Sequence, residues 1–119
     1  MHFVVSFVGT IAVRDNDGNT PSNIAEVLDA HLTEVMERFI EISAIDPDIE
    51  LDMTTCGVRL AILVEAEDPD KAIFTGSPII RTAIHAAGGS TPNWPDADNK
   101  AWSVEEVTLS AQPVELVSA

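Results

Sequence analysis

Residues 3–13, FVVSFVGTIAV, alternate with a period of two. Phe3, Val5, Phe7, Gly9, Ile11 and Val13 share one face, and Val4, Ser6, Val8, Thr10 and Ala12 share the other. That is the period of a strand. The first face is expected to be core. The second is small but still apolar, so something is expected to cover it. From Ile24 the period changes. Ile24, Val27, Leu28, Leu32, Val35, Met36, Phe39 and Ile40 recur at steps of three and four, which predicts a helix ending near residue 43. Ahead of it, RDNDGNTPSN (14–23) carries turn residues, and Asn23 with Glu26 has capping-box spacing.

Period two then returns. Ile49, Leu51 and Met53 alternate with Asp48, Glu50 and Asp52, and Val58, Leu60, Ile62 and Val64 alternate with Arg59, Ala61, Leu63 and Glu65. The pair predicts a hairpin around TTCG, with Gly57 supplying a positive φ. Asp68 before Pro69 predicts an N-cap and a first helical position. Ala72, Ile73, Gly76, Ile79, Ile80, Ala83, Ile84 and Ala87 hold helical register across Gly76-Ser77-Pro78. One kinked helix is therefore expected, stopped by Gly88 or Gly89. Residues 90–101 read as a polar loop. Residues 102–112 read as a last strand with a bulge at Glu105-Glu106.

The order β-α-β-β-α-β predicts one α+β domain over 1–112, with a C-terminal tail at 113–119. The expected architecture is ferredoxin-like: a four-stranded antiparallel sheet with both helices on one face. Its other face would expose Val4, Val8, Ala61 and Leu63. An apolar face of that kind marks an interface, and homodimerisation, sheet to sheet or edge to edge, would cover it.

Charge changes the picture most. Twenty acids face six bases, a net charge of −14. Nucleic acid and anionic lipid are disfavoured as partners, because both select Lys and Arg. The plain reading is a solvated surface; the sharper ones are a basic partner, or mimicry of nucleic-acid charge. The apolar N-terminus lacks a basic leader and reads as a strand rather than a signal peptide. A single cysteine, Cys56, precludes an internal disulfide, and a cytoplasmic location is expected.

Chemistry-bearing motifs are sparse. Asp15, Asp17, Asn19 and Glu26 imitate an EF-hand loop, but Thr20 stands where its glycine is required. Asp48, Glu50 and Asp52 form an acidic row, most simply the wet side of a strand that resists edge aggregation. His2, His31, His85 and Cys56 show no metal-ligand spacing. No nucleotide-binding or nucleophile-elbow motif is present. Phe3 and Phe7 are needed in the core, so RNA stacking is not expected. No catalytic residue, metal or cofactor is therefore expected.

The phrase IIRTAIHAAGGSTPNW (79–94) is the strongest remaining candidate. Arg81 and His85 stand four residues apart on one helix face, with Trp94 in the loop beyond. They could hold a carboxylate or anchor a partner. The simpler reading has His85 on the helix dipole and Trp94 folded over the helix end. RTAIHAAGGSTPNWP (81–95) resembles small uncharacterised actinobacterial and phage-encoded proteins, a resemblance that implies no activity. The reading is a non-enzymatic, acidic protein-interaction module, homodimeric, of phage or mobile-element origin and acting on a host protein. The alternatives are a small-molecule-binding protein or enzyme of the dimeric α+β barrel kind, with a pocket near His31, His85 or Arg81, and an acidic nucleic-acid mimic.

Overall fold

The computed structural model describes residues 1–13, 22–92 and 102–114. Along it run β1 (His2–Val13), α1 (Ile24–Glu41), β2 (Ile45–Asp52), β3 (Gly57–Glu65), α2 (Pro69–Ala86), β4 (Gly89–Ser90) and β5 (Trp102–Val114). The strands form one sheet in the order β2-β3-β1-β5-β4. β1 is central, antiparallel to β3 on one side and β5 on the other, and β2 is antiparallel to β3. β4 is parallel to β5.

The expected ferredoxin-like, four-stranded antiparallel sheet is thereby overturned: among the described residues the sheet has five strands and is mixed. The cause is local. α2 ends at Ala86, and Gly88 takes φ +89, a conformation glycine adopts without penalty. The chain turns back at once, and Gly89 and Ser90 pair with Trp102 and Ser103. A side chain at position 89 could not do this, since a Cβ there would stand 2.6 Å from Trp102 Cζ2.

The alternation of β1 places Phe3, Val5, Phe7 and Ile11 under the helices, where all are buried. Leu28, Val35 and Phe39 of α1 and Ile80, Ala83 and Ile84 of α2 meet them. Each fully buried large side chain contributes about 1.5–3 kcal/mol relative to exposure. α2 starts as its sequence dictates: Asp68 accepts from the Lys71 N–H at 2.8 Å, with Pro69 at the first helical position. It then runs unbroken through Pro78. The stop falls on Gly88, whose N–H donates to the His85 carbonyl at 3.1 Å.

Three local expectations need correction. The Asn23 side chain makes no capping hydrogen bond, so the capping box does not form. In the hairpin turn the positive φ (57°) belongs to Cys56, not Gly57; the Cys56 carbonyl accepts from the Ile11 N–H at 2.9 Å, tying the turn to β1. β2 begins at Ile45, because Asp46 takes φ 47° and the register shifts between Ile45 and Asp48, hiding the strand's start from a strict alternation. The bulge expected at Glu105-Glu106 is present. The register of β5 on β1 shifts between Val8 and Thr10, and Glu106 has φ 54°. Gly9 makes room for it: a Cβ there would stand 2.6 Å from the Glu105 carbonyl oxygen.

Candidate functional site

Two regions come from the sequence candidates: the end of α2 and the sheet face away from the helices. At the end of α2, Arg81 and His85 do converge, and the side chain they meet is Thr91. Arg81 Nε donates to Thr91 Oγ1 at 3.1 Å, and Arg81 Nη2 donates to the Pro92 carbonyl at 3.0 Å. His85 Nε2 lies 2.9 Å from the same Thr91 Oγ1. Thr91 itself is only 2% exposed. The two basic side chains therefore clasp the segment that leaves β4 and hold it against α2. Trp94, the third member of the expected group, lies outside the described residues.

Beside this clasp is a pocket of about 150 Å³ lined by Phe7, Ser77, Arg81, Thr91, Pro92, Val107 and Leu109. It is well below the roughly 300 Å³ at which drug-sized ligand sites begin. His31 is elsewhere, stacked on Trp102 with ring centroids 5.1 Å apart and planes 21° from parallel. The histidines of α1 and α2 thus do not share one pocket. Thr91→Val, which keeps shape and removes the hydroxyl, should lower stability by about 1 kcal/mol. Urea denaturation would measure it, and an unchanged midpoint would show that the clasp is not held by Thr91.

His31 has a pH signature. Burial pushes its pKa below the usual 6.5, and the nearby Glu34 charge opposes that shift. The folded state favours the neutral ring, so unfolding takes up a proton. The stability from this group is full above the unfolded value and is lost as pH falls through the lowered folded one. The stability advantage of wild type over His31→Gln should shrink on going from about pH 7.5 to 5.5. A pH-independent difference in urea midpoints would contradict the assignment.

The second region is the open face. Residues paired across neighbouring strands point to the same side. Val4 pairs with Leu63, Ser6 with Ala61 and Val8 with Arg59; Asp48 pairs with Ala61 and Ile45 with Leu63. Val4, Val8, Ala61 and Leu63 therefore do form one surface, and Ile45 joins it. The centre is sunken: Ala61 is 2% and Ser6 7% exposed, while Val8 is 40% and Ile45 59% exposed. A concavity of about 270 Å³ lies there, lined among others by Val4, Ala61, Leu63, Arg59 and Val114. Its rim is acidic. Asp46 and Asp48 line the concavity, and Arg59 is held by Asp48 at 3.3 Å, with Glu50 at 4.0 Å.

The sequence reading missed Thr91, because a threonine after Gly-Gly reads as loop. It also missed Phe74, which is 83% exposed on α2 and lies off the apolar register of that helix. Among the described residues no group of three or more His, Cys, Asp or Glu could hold a metal ion. The calcium-like loop falls mostly outside the described residues. No helix among them is long and apolar enough to cross a membrane. Comparison of the chain with family models, curated proteins and solved structures returns no match.

Proposed function

We propose that this chain is a non-enzymatic protein-interaction module and that the open sheet face is its contact surface. The observation that carries the reading is the acid-rimmed apolar hollow around Ala61. Four half-buried or exposed aliphatic side chains (Val4, Val8, Ile45 and Leu63) surround it on one contiguous face. An apolar centre with a charged rim is the anatomy of a recognition surface. The rim selects the partner's chemistry: a protein presenting aliphatic or aromatic side chains ringed by Lys or Arg. Burying such a face would compensate a chain that leaves it wet.

The small-molecule alternative has less support. Arg81 and His85 direct their polar atoms to Thr91 and Pro92, and the pocket they flank is small.

The test uses a purified partner obtained from the native host by capture on wild-type protein. Val8→Glu/Leu63→Glu should weaken its binding at least tenfold, and rising salt should slow association. Phe74→Ala and Arg81→Ala/His85→Ala should leave affinity within about twofold, the scatter of a peripheral contact. If the open-face pair binds as wild type does, or if the Phe74 or Arg81/His85 variants carry the loss, the reading is wrong.

A further inference from the structure

The two long edges of this sheet are built differently. β2 is one edge, and its sequence, IDPDIELD, carries Asp46, Asp48, Glu50, Asp52 and Pro47. Charges, proline and a register irregularity are the devices by which proteins stop an edge from pairing with another strand. On the far side β5 is covered only at its start, where Trp102 and Ser103 pair with β4. Beyond that, among the described residues, β5 has β1 as its single neighbour. Its bulge takes in Glu106 and Val107, and Pro113 follows near its end. Between them run Thr108, Leu109, Ser110, Ala111 and Gln112, with no charge and no proline. Thr108, Leu109, Ser110 and Gln112 are exposed. Among the described residues this is an open, uncharged edge, in a chain with twenty acids.

We infer that β5 is a self-pairing edge: two copies of this chain join antiparallel, β5 to β5, over residues 108–112, continuing the sheet across a two-fold axis. Charge decides the occupant. A second copy brings the same net charge of −14, so a self-contact must avoid acids, and this is the edge that does. A basic strand from another protein would instead be drawn to the acidic β2 edge. Centred on Ser110, the pairing sets Thr108 against Gln112 and Leu109 against Ala111, so within residues 108–112 no acid faces an acid. Main-chain hydrogen bonds hold such an added strand, and side-chain recesses beside the edge select it. One recess is present: the pocket by Arg81 takes Val107 and Leu109 of β5 into its wall. The inference stands on the strand edge and not on the open-face reading, and the two are tested by different substitutions.

Sedimentation equilibrium of the full chain over a wide concentration range, in moderate salt, is the experiment. Wild type should approach the mass of two chains as concentration rises. Thr108→Glu/Ser110→Glu/Gln112→Glu sets like charges opposite one another in any register near Ser110 and should remain at the mass of one chain. Val8→Glu/Leu63→Glu should dimerise as wild type does. Because the triple variant could misfold, wild-type amide exchange provides a second readout. Protection of residues 108–112 should rise with protein concentration while that of β2 stays constant. Wild type that is monomeric at every concentration overturns the inference. So does a dimer that persists in a folded triple variant, a dimer abolished by the open-face pair, or concentration-independent exchange at 108–112.

Discussion

Trp102→Ala should cost about 3–5 kcal/mol, the range for deleting a buried aromatic side chain. Trp102 is 2% exposed and opens β5, where it pairs with Val13 of β1 and with Gly89 of β4. Its ring stacks on His31 of α1 and lies where a Cβ on Gly89 would stand. One side chain of β5 therefore ties together α1, β1 and the short parallel strand β4. The indole Nε1 is buried with no hydrogen-bond partner among the described residues. A buried donor left unmade carries a penalty of roughly 1–3 kcal/mol. Trp102→Phe removes that donor as well as volume, so it should recover more than half of the loss caused by alanine. Urea denaturation of the three proteins measures both quantities. A phenylalanine variant as unstable as the alanine variant would mean that Nε1 is satisfied and the tight fit of the full ring decides stability. The readout should include amide exchange in β4, since among the described residues Gly89 and Ser90 pair with β5 alone.

That same corner is where sequence legibility ends. β1, α1, β3 and α2 were readable because each shows a sustained period against one buried face, and burial enforces it. Phe3, Phe7, Phe39 and Ile84 are buried where the period puts them. β4 has two residues, too few to show any period, and its existence depends on a tertiary fit of Gly89 on Trp102. That one short strand turns an antiparallel expectation into a mixed sheet. Cys56 taking the positive φ in place of Gly57 is similar: the tie from Ile11 to the Cys56 carbonyl holds the turn, and local preference yields to it. Of the candidate sites, the open face was legible because the off-face positions Val4, Val8, Ala61 and Leu63 were apolar. That Ala61 would sit at the bottom of a hollow was not, since curvature leaves no mark in alternation. Arg81 and His85 were readable as a pair, but their shared partner Thr91 depends on where β4 returns the chain.

Gly76→Ala should destabilise the protein by about 1–3 kcal/mol, the usual cost of overpacking a core. The sign is opposite to that expected of a helix interior, where replacing glycine by alanine gains about 1 kcal/mol. Gly76 lies in the middle of α2 and is buried. A Cβ there would stand 2.9, 2.9 and 3.0 Å from Cβ, Cγ2 and Cγ1 of Val5. Val5 is fully buried at the centre of the sheet, between Ile62 on β3 and Ala111 on β5. It cannot swing away, so the helix would have to lift. Lifting α2 would also draw Arg81 and His85 from Thr91 and widen the pocket beside β5. The close approach at Gly76 thus sets the height of α2 over the sheet. A double-mutant cycle isolates the contact. Val5→Ala alone removes buried volume and is destabilising, yet with Gly76→Ala it makes room for the new methyl. The pair should be more stable than the sum of the single changes predicts, by about 0.5–3 kcal/mol. Additive effects, or a Gly76→Ala variant more stable than wild type, would show that α2 does not rest on Val5 at this point.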